Sequence, residues 1–338
     1  MKKSLIALAV LAASGAAMAQ STVTVYGIAD VWVGSEKTGD VRDSKVGSGG
    51  VSGSRWGIKG TEDLGGGLKA NFLLEQGFSI DSGAAGTNDS QPGVAQAFSR
   101  QSYVGLSGGF GEVKLGKVWT AYDDVQGSSD AVFDSALSPM NKVFISTSNY
   151  NSNPANTIYY ATPSFGGFAG AVSYSLGENK GTPAGTDATS ITAFNVTYGA
   201  GPLALQLGYQ VEDGKTANDQ KFTRLGGTYD LGVAKLYANY GKVSNVGNAV
   251  DRDASEYQIG ADFPVSSALT LSASYAKSDD SNPAGVYEAT RKGYGVGAAY
   301  SLSKRTTVYG GYESDKKTNQ SAADTKHSLF AVGLKHTF

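Results

Sequence analysis

The chain has 338 residues, a formal net charge of −2, no cysteine, 46 glycines and 19 tyrosines. Without cysteine there is neither a disulfide framework nor a thiolate metal site, and without a basic tail or Lys/Arg cluster there is no electrostatic footprint for nucleic acid. Only 17% of residues are charged, below the roughly 25% of soluble domains, so the composition suits many strands and turns.

Lys2 and Lys3 open the chain, Leu5 to Ala13 form an apolar run, and Ala17-Met18-Ala19 is a small-residue cleavage site. This is the pattern of a secretory signal peptide, residues 1–19. The apolar run is well short of the roughly 18 residues a spanning helix needs. Residues 20–338 then form the mature domain.

From there on, side chains alternate with period two, the signature of strands. In the first strand Val23, Val25, Val31 and Val33 share one face, while Thr22, Thr24, Tyr26, Asp30 and Trp32 share the other. Connections come in two kinds. Seven are tight, at 63–67, 108–110, 164–167, 199–202, 230–233, 264–268 and 302–304. Eight are longer and polar, near 35–52, 81–96, 119–153, 179–188, 213–220, 245–254, 279–291 and 314–326. Together they predict an all-β fold: sixteen antiparallel strands with both termini on the short-turn side, as in transmembrane barrels with an apolar outside and a polar lumen. Tyr160, Phe165, Tyr198, Tyr229, Phe263 and Tyr300 gather at the tight turns like an interfacial girdle.

Charges are read by the same alternation. A cation facing lipid at mid-bilayer would cost about 2–4 kcal/mol, which assigns Arg55 and Lys59 to the lumen and Trp56 and Ile58 to the outside. Glu75 follows with Lys69, Asn71 and Leu73, and Arg100 and Ser102 are expected on the same side. Val113 and Leu115 point outward, so strict alternation would set Lys117 against lipid, and a bulge or strand end is expected there. The connection from Trp119 to Asn153 is far longer than a compact domain usually tolerates. Folded into the lumen, it would hold Asp123, Asp124, Asp130 and Asp134 opposite Arg55, Arg100 and Lys117.

Catalytic chemistry finds little support. His327 and His336 lie on opposite faces of one strand and make no local metal pair, with His327 expected at the outer rim; there is no phosphate-binding loop; and Glu62-Asp63 abuts a turn. Neither a catalytic residue, a metal nor a cofactor is expected.

Several segments resemble a general porin of the β-proteobacterial and neisserial type over essentially all of residues 20–338. They are Val25-Tyr26-Gly27, Gly60 to Gly67, Val104 to Gly108 with Phe110-Gly111, Thr162-Pro163 through Phe168, and terminal Phe338. The resemblance implies a homotrimer of sixteen-stranded barrels in the outer membrane, each with its third loop in the lumen opposite a basic ladder. Arg55 before Trp56-Gly57, Arg100 before Gln101-Ser102 and Lys117 after Leu115-Gly116 match ladder positions, and Glu75 an acidic one. Asn153 stands where the family often has arginine, which weakens anion selectivity. Phe338, with Phe330, Val332 and Leu334, resembles the signal read by the barrel assembly machinery. The implied partners are that machinery, outer-membrane lipid and lipopolysaccharide, and permeating ions and small hydrophilic solutes. The implied function is passive diffusion with weak charge selectivity. A substrate-specific channel, or an adhesin or receptor barrel, is the alternative.

Overall fold

The computed structural model describes residues 22–88, 91–177, 189–214, 218–282, 288–320 and 322–338. The expected leader 1–19 and the connection near 179–188 lie outside these. Seventeen strand segments form one antiparallel sheet whose last segment pairs with its first. Two of them, Val41–Ser48 and Arg55–Gly65, are halves of one strand, because the first strand pairs with one through Val31–Thr38 and with the other through Thr22–Ile28. The fold is therefore a closed barrel of sixteen strands.

In chain order these are β1 (Thr22–Thr38), β2 (Val41–Ser48 with Arg55–Gly65), β3 (Leu68–Gly77), β4 (Gln101–Gly108), β5 (Gly111–Lys117) and β6 (Thr157–Ala161). They continue as β7 (Phe168–Ser175), β8 (Ile191–Ala200), β9 (Leu203–Glu212), β10 (Gln220–Asp230) and β11 (Lys235–Ser244). The last five are β12 (Asp253–Pro264), β13 (Leu269–Ser281), β14 (Glu288–Ser301), β15 (Thr306–Asn319) and β16 (Thr325–Thr337).

The two faces invert the usual order of a soluble protein. Val25, Val104, Leu115, Ile158, Ile259 and Phe330 are exposed, whereas Asn195, Arg224, Asn239, Glu256, Gln258 and Glu313 are buried. Such an arrangement is stable when lipid covers the apolar face and every buried polar group finds a partner.

All seven tight connections are present; in the first, Gly65, Gly66 and Gly67 take φ of 84°, 61° and 83°, a region closed to most residues. The opposite end differs from expectation. Much of 35–52 is strand, since β1 runs to Thr38 and β2 returns at Val41, and β13 and β15 likewise extend to Ser281 and Asn319. Past the bilayer both faces are wet, so hydrophobic alternation fades while the backbone ladder continues.

Residues 49–54 leave the sheet between the halves of β2. Buried Asp30 holds them. Its Oδ1 accepts the Gly50 amide (3.0 Å) and the Tyr309 hydroxyl (2.5 Å), and its Oδ2 the amides of Val51 (3.0 Å) and Ser52 (2.8 Å). The third loop, 118–156, contains single turns at Asp123–Val125 and Val132–Asp134 and short helices at Met140–Val143 and Ile145–Ser148. It lies against the polar face of the sheet.

Candidate functional site

One side of the polar face is built by β1 to β5. β2 directs Trp56 outward and Arg55 and Lys59 inward. Arg55 Nη2 donates to Ser52 Oγ at 2.5 Å, and the exposed Lys59 ammonium lies 5.0 Å from the Tyr26 ring centroid. Glu75 is buried, accepting the Tyr26 hydroxyl at 2.8 Å and Arg100 Nε at 2.7 Å. Its charge is thus taken up by Arg100, whose guanidinium lies 4.9 Å from the Trp119 ring. Arg100 precedes β4. The register sets Gln101 opposite Glu75 and Ser102 opposite Leu74, so Ser102 faces outward, contrary to expectation.

At the end of β5, Gly116 has φ of 142°, and the strand stops at Lys117. The Lys117 ammonium turns in and donates to the Asn153 carbonyl, while Asn153 Nδ2 donates to the carbonyls of Ser99 (3.2 Å) and Arg100 (2.9 Å). Lys117 and Asn153 therefore clasp the root of the third loop. Lys114 was missed by sequence reasoning, although alternation assigns it to the inner face. It pairs with Glu112 at 3.1 Å and lies over the rings of Tyr103 (5.3 Å) and Tyr159 (4.8 Å). Lys59, Lys69, Asn71, Tyr103 and Glu112 line a cavity of about 510 Å³ on this side.

The other side, from β7 to β15, is covered by the loop. Irregular backbone needs partners for its N–H and C=O groups, and inward side chains supply them strand by strand. Ser173 on β7 accepts the Ala121 amide (3.0 Å), and Asn195 on β8 donates to the Ala121 carbonyl (2.6 Å). Gln206 on β9 reaches Val125 O (2.8 Å), Arg224 on β10 Gln126 O (3.1 Å) and Asn239 on β11 Ser129 O (2.7 Å). Glu256 on β12 accepts the amides of Ile145 and Ser146, and Ser272 on β13 accepts that of Val132.

Close approach needs room as well. A Cβ at inward Gly208, Gly226, Gly241, Gly260 or Gly295 would run into Val125, Ser129, Ser146, Ala131 or Leu137 of the loop. Arg224 is wholly buried; it donates also to Ser146 Oγ (3.1 Å) and Thr147 Oγ1 and sits 5.3 Å from the Phe144 ring centroid. Sequence reasoning missed it. A run of inward glycines beside inward Gln, Asn and Arg was the available signal.

The four loop carboxyls are not gathered opposite Arg55, Arg100 and Lys117. Asp123 accepts the Tyr150 hydroxyl (2.5 Å) within the field of Arg100. Asp124 accepts Tyr159 (2.6 Å) and Asn195 (3.3 Å) within the field of Lys114. Asp130 takes Ser138 (2.7 Å) and Gln258 (2.5 Å), and both it and Asp134 feel Arg224. Among the described residues no ion pair joins a loop carboxylate to Arg55 or Arg100. The loop runs along the wall, which brings Asp123 within the field of Arg100 and carries Asp130 and Asp134 to that of Arg224. Burial pushes Asp123 and Asp130 up to about 7 and Asp124 to about 6, and raises Asp134. Part of the loop's acidity is therefore neutralised near physiological pH.

Phe338 closes the barrel: it exchanges two backbone hydrogen bonds of 3.0 Å with Gly27, and its ring occupies the place a Cβ at Gly27 would take.

Comparison with known proteins is consistent across sequence and structure. The family described as Gram-negative porin matches residues 5–320. Outer membrane porin protein 32 of Delftia acidovorans is 36% identical, covering 100% of both chains. Major outer membrane protein P.IB of Neisseria meningitidis is 32% identical, also over 100% of both. The anion-selective porin from Comamonas acidovorans superposes with a TM-score of 0.78 at 30% identity, over 94% of this chain and 100% of that one. A trimer form of OmpT from Vibrio cholerae shares the fold, with a TM-score of 0.68 at 18% identity over 94% and 99% of the two chains.

Proposed function

The chain belongs to the Gram-negative porin family, and from that premise we propose that it forms a water-filled outer-membrane passage for passive diffusion of ions and small hydrophilic solutes, weakly selective by charge. The family is one of channels rather than catalysts. The observation that carries the reading is a closed sheet with its apolar side chains outside and its ionic and amide groups inside.

The third loop narrows the lumen from the β7 to β15 side and leaves the side of Arg55, Lys59, Arg100 and Lys114 as the path for solutes. The unbalanced cations on that path are Arg55 and Lys59, because Arg100 is paired with Glu75 and Lys114 with Glu112, while burial weakens the acidity of the loop carboxyls. The preference is for anions, and it is mild. In water a unit pair 4 Å apart is worth about 1 kcal/mol, and physiological salt screens exposed charges over about 8 Å.

Three barrels associate in the membrane. Outward aromatics crowd β7 to β14, among them Phe168, Phe194, Tyr229, Tyr240, Tyr257, Phe263, Tyr275 and Tyr294. β1, β4 and β5 instead present Val23, Val25, Val33, Val104, Leu106 and Leu115. The aromatic arc suits lipid and lipopolysaccharide, the aliphatic arc a neighbouring copy, and Phe338 serves as the signal for the assembly machinery.

Planar-bilayer recording of purified, folded protein tests the reading. Conductance steps in threes and a small reversal potential toward anions across a KCl gradient are expected. Folded protein that gives no conductance would overturn it.

A further inference from the structure

His327 lies on β16 opposite Thr38 of β1 and Asp315 of β15. Strand alternation sends His327, Asp315, Glu313 and Glu36 to the inner face, and the register gathers them at the end of the barrel that carries the long connections. Asp315 Oδ2 is 2.9 Å and Glu313 Oε2 3.1 Å from His327 Nδ1, while Glu36 Oε1 is 2.9 Å from Nε2. Lys45 holds Glu36 from its other side, and Lys142 of the third loop adds a more distant positive charge.

A neutral imidazole carries one proton. Given to Glu36 at Nε2, it leaves the Nδ1 lone pair facing two carboxylate oxygens, a contact that requires a second proton or a cation. Glu313 favours the cation. Its side chain is fully buried, its Oε1 has no hydrogen-bond partner, and its Oε2 meets only His327. Glu313, Asp315 and His327 each offer one ligand atom, and these atoms all lie within 4.8 Å of one another. A carboxylate on the far nitrogen is the usual device that fixes the tautomer of a metal-binding histidine.

We propose that Glu313, Asp315 and His327 bind one divalent transition-metal ion of the zinc or nickel class inside the barrel, with Glu36 as the positioning residue and water completing the coordination. Imidazole with carboxylates suits such ions. His327 stands at the long-connection end, the rim expected for it, and cross-strand neighbours supply what its own strand does not.

The test uses untagged, folded, chelator-stripped protein titrated with zinc chloride alone by calorimetry. One ion per chain is expected, lost in His327→Gln and Asp315→Asn, weakened about 10–100-fold in Glu36→Gln, and kept in His336→Gln. Heat-modifiable gel mobility verifies that each variant is folded. Folded wild type that takes up no zinc at submillimolar concentration, or His327→Gln that binds as tightly, would overturn the proposal. So would a His327 imidazole that stays doubly protonated by NMR throughout the zinc titration, since a proton would then hold the cluster.

Discussion

The two sides of the lumen are woven from the same alternating strands, yet their polar side chains have different fates. On β8 to β12, Asn195, Gln206, Arg224, Asn239 and Glu256 are consumed in holding irregular backbone. On β2, Lys59 meets no such backbone and remains exposed beside an aromatic ring. An inward polar residue is structural where a loop presents unpaired amides and carbonyls, and electrostatic where it meets only water. Removing one of the first kind leaves buried groups unsatisfied, whereas water replaces one of the second.

That contrast ranks the effects of mutation. Arg224→Ala should be the most damaging, because it strips four hydrogen bonds to the loop and the contact with the Phe144 ring and leaves buried Glu256 without its nearby positive charge. A loss of about 3–5 kcal/mol is expected, read as a lowered transition in heat-modifiable gel mobility, whereas Lys59→Ala should stay within about 0.5 kcal/mol. Equal losses in the two would break the comparison. Gly295→Val should cost about 1–3 kcal/mol by overpacking and change the single-channel step size, since its side chain takes the place of the Leu137 carbonyl. On the other wall, Arg55→Ala with Arg100→Ala should move the reversal potential toward cations; no movement would remove these residues from the solute path.

The smallest effect is that of pH. Asp123 and Asp130, at about 7, and Asp124, at about 6, are charged above those values and neutral below them. Lowering the pH through this window removes negative charge from the loop, so the reversal potential should drift toward anions. A drift toward cations would contradict the burial of these carboxyls.

Much of the barrel was legible because its rules are local. Glycine and proline mark the tight turns, and one face of each strand must suit lipid, which fixes Trp56, Leu115 and Phe330 outward. Ser102 faces outward although Arg100 turns inward, because Arg100 stands before the first paired residue, Gln101, and escapes the alternation. Alternation is informative only once the first paired residue is known. The fate of Glu75 and the four loop aspartates was not legible, since it depends on which distant side chain the loop meets. One partner of Asp130, Gln258, lies 128 residues away. Nor was the cluster around His327, whose members come from three strands and meet only when the sheet closes.

Residues 49–54 add an attachment beyond those that the root and β7 to β13 provide, for the Ala136 amide donates to the Gly50 carbonyl at 2.9 Å. A beam fixed at one end can swing; fixed at both, it can only bow. Any motion that carries the loop clear of the lumen must first break this bond or unseat Gly50 from Asp30. Widening of the passage in the intact protein is thus confined to the deflection of a span pinned at its far side as well as along the wall.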